Sequence, residues 1–437
     1  MRWGLASWVL VTTACAGCGE DGATPASFEI VGHQDLGARG MSSALAVAGD
    51  TVYVGSRNDR HGIAVIDVAD PAAPQLVGEV VPPVLGISSR ELRVVADLDL
   101  LVVLNLQCSP DLHGCAPVTP LENLAFYDIH DRHAPVLLST YPIATGTFMP
   151  RSPHEMYLRR DGARVRLFVT TPPASPSLEV IDATDPRAPV RVAAWDPRDG
   201  GVSPRPGGND ILHSISLSAD GNRAYLSHQQ SGLLVADLSA LPAISLITPP
   251  GSALRWDPAT TIGPHSAVEV PDRDLLVVTE EIYPMPFGAG CPWGPLRTVD
   301  VSDPTAPVVL GVLRLDENQG AYCATPHDRV AFTAHNATVT HDLALVTWYA
   351  GGLQAVDLHD PVHPVALAEL RPEPLPAVAA EEPGLGGDPV EMWSYPVIQD
   401  GLIYVVDVRN GLYVLRYHGP WADQVTTASF LEGNSNL

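Results

Sequence analysis

The chain has 437 residues, of which 46% are hydrophobic and 17% are charged, so it has enough apolar material for a large folded body. Its 25 Lys and Arg residues stand against 50 Asp and Glu, and a net charge of −25 repels nucleic acid and anionic lipid headgroups. This balance excludes a nucleic-acid partner and leaves metal ions, small molecules and proteins as ligands. The 42 Pro and 37 Gly residues indicate a chain with many turns.

The first 18 residues predict an export signal followed by a short linker over 19–26. Arg2 supplies the positive charge, and a short apolar stretch and small residues follow it. The segment "ACAGC" resembles a bacterial lipobox, which predicts lipidation of Cys18, with Cys15 as the alternative site. The competing interpretation is a cleaved signal peptide without lipidation. Because no apolar stretch is long enough to span a bilayer, we expect membrane contact only through the lipid. The predicted location is the outer membrane or cell surface, or else the periplasm.

Four cysteines remain beyond the signal, and an even number in an oxidising compartment predicts two disulfides. Cys108 and Cys115 share one polar loop and form the natural first pair, which leaves Cys291 and Cys323 as the second. A thiolate metal site is disfavoured because no CxxC spacing is present.

The strongest feature of the sequence is a repeat. An apolar strand ends in Asp, a second Asp or its equivalent follows three residues later, Pro comes seven residues after the first Asp, and another apolar strand begins. The first Asp recurs at intervals of 54 to 63 residues, at Asp67, Asp128, Asp182, Asp237, Asp300 and Asp357, although the copy around Asp237 has decayed. Asp accepts backbone hydrogen bonds in turns, and Pro fixes φ and ends a strand.

This repeat length suits four short strands, so we predict an all-β β-propeller of seven four-stranded blades, with eight or six blades as the alternatives, over residues 27–420. One blade is predicted at 335–370. The strand at 27–36 has no partners before it and is expected to complete the last blade and close the ring. Residues 371–389 are rich in Pro and acidic residues and predict a long surface loop, and residues 421–437 are expected to form a C-terminal tail.

The segments "VIDVADP" at 65–71 and "AVDLHDP" at 355–361 resemble the LVIVD-repeat family of exported bacterial β-propellers. The resemblance covers almost the whole chain beyond the signal and is specific for the fold. A more distant resemblance is to the selenium-binding protein family, which includes methanethiol oxidase and implies a seven-bladed propeller with copper held by histidines. No ligand position is carried over from that family, because its motifs do not align residue by residue.

Aligned on their second strands, four successive blades carry a histidine just before the first strand. These are His154, His213, His265 and His335, and blade two has Glu91 at about that place. Because first strands line the centre of a propeller, we predict that the four imidazoles and Glu91 form a metal site, with copper favoured and zinc or iron as alternatives. Core packing is the competing interpretation, and it would be the better one for a single histidine.

Several further side chains are expected to orient the ligands or to move protons: Glu155, Glu280, Glu281, His228 and His327. Each is otherwise an ordinary loop residue. Two functions therefore stay open. The protein is either a monomeric propeller that binds a small molecule or a protein partner, or a copper-dependent oxidoreductase that acts on a small molecule in the channel.

Overall fold

The computed structural model describes residues 25–80, 83–143, 153–172, 176–203, 211–256, 262–286, 288–324, 330–384 and 390–437. Within these ranges the helices are few and short. The α-helices are α1 (Pro110–His113), α2 (Gly320–Cys323) and α3 (Ala422–Thr426). Single 3₁₀ turns lie at Leu36–Ala38, Ala96–Leu98, Pro197–Gly200, Gln229–Ser231, Pro250–Ser252 and Asp316–Asn318.

Strands make up the rest of the regular structure. In chain order they are β1 (Ser27–Gln34), β2 (Ser42–Ala48), β3 (Thr51–Ser56), β4 (Ile63–Asp67), β5 (Gln75–Val80), β6 (Ile87–Val95), β7 (Leu100–Gln107), β8 (Asn123–Asp128), β9 (Val136–Pro142), β10 (Met156–Asp161), β11 (Arg164–Thr170), β12 (Leu178–Asp182), β13 (Val190–Trp195), β14 (Ser214–Leu217), β15 (Arg223–His228), β16 (Gly232–Asp237), β17 (Ser245–Leu246), β18 (Ser266–Glu269), β19 (Leu275–Thr279), β20 (Leu296–Asp300), β21 (Val308–Leu313), β22 (Ala337–Val339), β23 (Leu343–Thr347), β24 (Leu353–Asp357), β25 (Val365–Leu370), β26 (Val397–Gln399), β27 (Leu402–Asp407), β28 (Gly411–His418) and β29 (Phe430–Glu432).

Consecutive strands pair antiparallel in groups of four. The groups β10–β13, β14–β17, β18–β21 and β22–β25 are separate sheets, and the groups β2–β5 and β6–β9 are joined into one sheet by the pairing of Ser56 with Ser89. The all-β class and the four-stranded repeat unit are therefore as predicted, and the blade predicted at 335–370 is β22–β25.

The strand nearest the N-terminus pairs with a strand from the far end of the chain. β1 lies antiparallel to β28, with Ser27 opposite His418 and Gln34 opposite Leu412. The order in this sheet is β1, β28, β27, β26 and β29. The pairing joins the two ends of the strand sequence in one sheet.

Burial falls from the first strand of each group to the fourth. Every residue of β2 is buried, whereas none of β5 is. Between neighbouring sheets the apolar faces pack against each other, as where Phe168 of β11 and Val180 of β12 share a core with Ile215 of β14. The first strands therefore face the centre of the molecule, which is where the residues that precede them are brought together.

The repeated Asp residues close the turns between third and fourth strands, as the motif predicted. Asp67 Oδ1 accepts a hydrogen bond from the Ala69 amide at 2.8 Å, and Asp300 Oδ1 accepts one from the Ser302 amide at 2.8 Å. The same contact, to the amide two residues ahead, is made by Asp128, Asp182, Asp237 and Asp357. The repeat is thus a recurring Asx turn.

The C-terminal segment, predicted only as a tail, folds back between the first strands. β29 pairs with β26, and Ser435 forms a bridge with Leu158 of β10. Glu432 lies 3.5 Å from the buried Arg93 of β6, measured from Oε1 to Nε. The segment therefore contacts the inner strands of three four-stranded groups.

Both predicted disulfide pairs are present, Cys108 with Cys115 and Cys291 with Cys323. The first encloses α1 in a ring of the chain, because only seven positions separate its cysteines. Among the described residues, no helix has both the length and the apolar character needed to cross a membrane. The predicted signal segment, with Cys15 and Cys18, lies outside the described residues.

Candidate metal centre

The four aligned histidines occupy equivalent backbone positions. Each lies one or two residues before the first strand of its group, and its amide donates a hydrogen bond of 2.8 to 2.9 Å to a carbonyl on the second strand. The pairs are His154 with Thr170, His213 with Ser227, His265 with Thr279 and His335 with Thr347. The repeat therefore aims all four imidazoles at the centre in the same way.

The four imidazole rings form a continuous row. Ring centroids are 4.1 Å apart between His154 and His213, 4.2 Å between His213 and His265, and 4.0 Å between His265 and His335. The Nε2 atoms of His154 and His213 lie 2.7 Å apart. His213, His265 and His335 are each no more than 4% exposed. Adjacent groups of strands thus bring the predicted histidines into direct contact.

Glu281, which follows β19, places its carboxylate against three of these rings. Its oxygens lie 3.2 Å from Nε2 of His335, 3.7 Å from that of His265 and 3.8 Å from that of His213. Ligands of one ion at about 2.0–2.1 Å can be no more than about 4.1 Å apart. All of these separations lie below that limit, and His213, His265 and Glu281 each offer one ligand atom within 4.8 Å of the other two, so these three residues are grouped as ligands of a single ion would be.

Neighbouring acceptors fix the tautomers of two histidines. His335 Nδ1 lies 2.5 Å from the Trp393 carbonyl, which only accepts, so this nitrogen carries the proton. His213 Nδ1 lies 2.9 Å from Ser214 Oγ, whose own hydrogen goes to the His265 carbonyl, so His213 also donates through Nδ1. In their neutral forms both rings then present an Nε2 lone pair towards the Glu281 carboxylate.

In this arrangement two hydrogen-bond acceptors, an imidazole nitrogen and a carboxylate oxygen, face each other. His335 Nε2 and Glu281 Oε1 are 3.2 Å apart, and a neutral ring has no proton to put between them. A cation bound between these atoms satisfies both, and histidine ligands of metals usually donate their other ring nitrogen to a carbonyl or carboxylate, as His335 does. The donor set of imidazole nitrogens and one carboxylate fits a transition metal.

The protonation states agree with a cation site. Burial and, to a smaller extent, the charge of Arg90 lower the pKa of His154 to about 4. Burial and the neighbouring histidines hold the pKa values of His213 and His265 well below the ordinary value. Burial alone would raise the pKa of Glu281, but His335 and His265 outweigh it and hold that pKa well below its usual range. Neutral imidazoles and an ionised carboxylate are the forms that bind metals.

Aromatic side chains enclose the row of histidines. Tyr349 donates a hydrogen bond from Oη to Glu281, and its Oη is 3.3 Å from that of Tyr283. The rings of Tyr349 and Trp393 lie 5.1 and 5.5 Å from that of His335. Burial and Glu281 raise the pKa of Tyr349 well above 10, so its phenol stays protonated and remains a donor. Its contact with Glu281 makes Tyr349 part of the site.

A cavity of about 270 Å³ opens beside the cluster, and all four histidines and Glu281 line it. Glu91 and Glu155 also line it. The Glu91 carboxylate lies 3.1 Å from Arg93 Nη2, and Glu155 Oε1 accepts from Tyr395 Oη at 2.7 Å. Burial and the nearby Glu91 raise the pKa of Glu155 to about 7. Glu281, predicted only as a supporting residue, is the carboxylate seen against the imidazoles, whereas Glu91 contacts Arg93.

The remaining predicted supporting residues lie elsewhere or are not described. Glu280 points away from its neighbour Glu281 and pairs with Arg297, with Oε2 2.8 Å from Nη1. His228 is buried at the end of β15 and is not among the residues lining the cavity. His327 lies outside the described residues. Among the described residues proposed to move protons, only Glu155 and Glu281 line the cavity.

A set of charged residues near the cavity mouth was not predicted. Arg90 and His113 line the cavity, and Glu382 joins His113 to Arg57. Glu382 lies in the segment expected to be a surface loop, yet it is only 6% exposed. The described part of that loop therefore packs onto the protein, because Arg57 and His113 need its carboxylate. Nothing in the repeat pattern marks Arg57, His113 and Glu382, since they belong to connections that differ between blades.

The LVIVD repeat family model matches residues 39–81 and 292–313, in agreement with the resemblance noted in the sequence. Among solved structures, Saccharomyces cerevisiae Sqt1 matches at 8% identity with a TM-score of 0.53, covering 91% of this chain and 99% of that one. The C-terminal WD40 domain of Sif2 matches at 8% identity with a TM-score of 0.50, covering 89% and 99%. A hypothetical selenium-binding protein from Sulfolobus tokodaii matches at 12% identity with a TM-score of 0.45, covering 63% and 66%. No curated protein matches the chain. The likenesses to Sqt1 and to the WD40 domain of Sif2 support a propeller-like fold and carry no function.

Proposed function

We propose that this LVIVD-repeat protein is an exported, lipid-anchored propeller that binds one transition-metal ion at His154, His213, His265, His335 and Glu281. The observation that carries the proposal is the cluster of facing acceptors, in which imidazole lone pairs point at a carboxylate 3.2 to 3.8 Å away. Copper is the preferred ion, because nitrogen-rich sites bind Cu²⁺ more tightly than other divalent first-row metals.

The fold proposed is a closed ring of seven four-stranded blades spanning residues 27–420. The six groups that begin at β2, β6, β10, β14, β18 and β22, together with β26–β28 completed by β1, supply that number. The pairing of β1 with β28 supports closure, since it joins the first and last strands of the ring. A ring is the arrangement in which four adjacent blades bring equivalent residues together.

The proposed location is outside the cytoplasm, at the outer membrane or cell surface or in the periplasm, with Cys18 as the lipidated residue. The two disulfides support export, because such bonds persist mainly in oxidising compartments. The predicted signal supplies the route and the lipid supplies the anchor. The folded body is proposed to act as a monomer.

A second candidate function, a copper-dependent oxidoreductase, is favoured by one observation. The cavity of about 270 Å³ places room for a small substrate directly against the histidine cluster. A bound copper ion would supply one-electron chemistry there. The chain itself contributes the Tyr349 phenol, which donates to Glu281, and the Glu155 carboxyl, whose pKa of about 7 suits proton transfer at neutral pH.

Metal content tests the proposal directly. The full chain, purified without a chelator or a histidine tag, is reconstituted with copper and with zinc, desalted and analysed by mass spectrometry for metal per protein. We expect one copper per chain in the wild type and a strong loss in His213→Ala and in His265→Ala. His130→Ala is the matched control, because its ring is 89% exposed and far from the row of imidazoles in sequence. A wild type that keeps no stoichiometric metal, or variants that keep as much as the control, would overturn the proposal.

A further inference from the structure

Arg90 places a positive charge on the wall of the cavity that the histidines also line. It lies on β6 directly before Glu91, is partly exposed and lines the same cavity as the imidazoles. Its guanidinium carbon is 4.9 Å from the ring centroid of Trp393, which also lines the cavity. The cavity therefore has a cationic group beside a flat aromatic surface, in a chain whose net charge is strongly negative.

The carboxylates of the cavity each have another partner. Glu91 pairs with Arg93, and Glu155 accepts from Tyr395. Glu281 accepts from Tyr349 and lies against the imidazoles. Among the described residues, Arg90 accordingly makes no ion pair with a carboxylate. A guanidinium that faces an enclosed space without a counter-charge is suited to an anionic ligand.

A chain of hydrogen bonds holds Arg90 in place without neutralising it. Arginine only donates, so His113 Nε2 accepts from Arg90 Nη1 at 3.2 Å. His113 Nδ1 then carries the proton and donates to Glu382 Oε1 at 2.7 Å, and the other Glu382 oxygen accepts from Arg57. The group that touches Arg90 is thus a neutral imidazole. The negative charge of Glu382 is already paired with Arg57.

These contacts use one nitrogen of the Arg90 guanidinium. Its Nη1 is bound to His113, and the edge formed by Nε and Nη2 has no acceptor among the described residues. That edge carries two parallel N–H groups, which match the two oxygens of a carboxylate. The Cys108–Cys115 disulfide closes the short loop that carries His113, so the support of this edge is itself restrained.

We propose that the cavity binds a small organic carboxylate, with its two oxygens on the Nε and Nη2 edge of Arg90 and its carbon chain against Trp393. A volume of about 270 Å³ lies just below the usual range for ligand sites, about 300–1,000 Å³, so the ligand is a molecule of a few carbons. The inference goes beyond the metal site and does not depend on it, because among the described residues Arg90 makes no hydrogen bond or ion pair with the proposed ligands.

The test uses the metal-free full chain, so that an anion cannot bind through a metal ion. Propionate and its uncharged counterpart propionamide are titrated by saturation-transfer nuclear magnetic resonance. We expect propionate to bind and propionamide to bind much more weakly. Arg90→Gln is expected to weaken propionate binding by roughly ten- to hundredfold, the effect of losing hydrogen bonds to a charged group. Arg90→Lys should recover part of the affinity, since it restores the charge without the fork.

Arg187→Gln is the matched control, because this arginine is exposed in a turn between strands, and it should bind propionate as the wild type does. Thermal unfolding of each variant shows whether the fold is kept, and the lysine variant keeps the test valid if the glutamine variant is unstable. Equal binding of propionate and propionamide would overturn the proposal, as would wild-type affinity in Arg90→Gln. Metal content, measured on separate samples, reports on the metal site alone.

Discussion

Replacing Glu382 by Gln removes a buried charge while keeping the shape of the side chain. In the wild type one carboxylate oxygen lies 2.8 Å from Arg57 Nε and the other 2.7 Å from His113 Nδ1. The Arg57 side chain is fully buried and that of Glu382 is 5% exposed. The variant therefore leaves the Arg57 guanidinium buried without a counter-charge, and we expect the protein to lose stability.

The size of the loss follows from the electrostatics of the pair. Burial alone would raise the pKa of Glu382, but Arg57 and His113 outweigh it and lower that pKa from 4.5 to about 2. At about 1.4 kcal/mol per pKa unit, this shift corresponds to about 3 kcal/mol of stability at neutral pH. Breaking a buried ion pair by removing one partner costs about 3–5 kcal/mol, so the two magnitudes agree.

Urea unfolding of the metal-free protein at pH 7, 4 and 3 measures this loss. Because the pKa is depressed in the folded state, the stabilisation is complete above pH 4.5 and is lost as the pH falls towards 2. The difference between wild type and variant should therefore be about 3 kcal/mol at pH 7 and about 1.4 kcal/mol at pH 3. Glu29→Gln is the control, since its pair with Arg416 is 49% and 44% exposed and should matter little. A loss no larger than in the control, or one that does not change with pH, would refute the reasoning.

Three further outcomes are expected. Glu281→Gln should lower copper affinity by more than about tenfold in a competition titration, because it removes the negative ligand facing three imidazoles, and unchanged affinity would show that the carboxylate does not bind the ion. Arg93→Met should reduce the free energy of unfolding by about 3–5 kcal/mol, since it leaves Glu91 and Glu432 buried without their cation, and a neutral result in denaturant titration would contradict that pairing. Asp300→Ala should cost about 1 kcal/mol in the same assay by removing the turn contact with the Ser302 amide, whereas Asp423→Ala, in a helix outside the repeat, should cost less.

The sequence predicted what the repeat controls. The turn residues of the repeat recur with a fixed spacing, so strands, turns and the four-stranded unit follow from local rules. The convergence of His154, His213, His265 and His335 also follows, because equivalent positions in neighbouring units must point alike. Glu281 could be named only as a neighbour, since choosing between it and Glu280 depends on which side of the strand end faces the centre. Glu280 turns to Arg297, and that contact is visible only in three dimensions.

Long-range contacts of residues outside the repeat could not be predicted from the sequence. Arg57 and Glu382 are more than three hundred positions apart, and neither belongs to a motif. The Pro-rich composition of residues 371–389 is typical of a solvated loop, and a single buried carboxylate is enough to hold part of it against the body. The same is true of Asn434, which donates to the Met156 carbonyl from a segment without strand periodicity. Such contacts depend on which buried charged or amide groups require a hydrogen-bond partner, and the composition of a segment does not show which groups these are.

β29 makes the two ends of the space between the inner strands different. A stack of equal repeats around an axis would leave a passage open at both faces, like a pipe. β29 and the residues after it belong to no repeat, and they occupy that passage against β26, β10 and β6. In the proposed ring this segment would fill one side of the passage, and the cavity that His113 and the histidines line would lie on the other. Ions and small molecules would then exchange through that cavity, so the residues that line it would set the rate while the strands stay rigid.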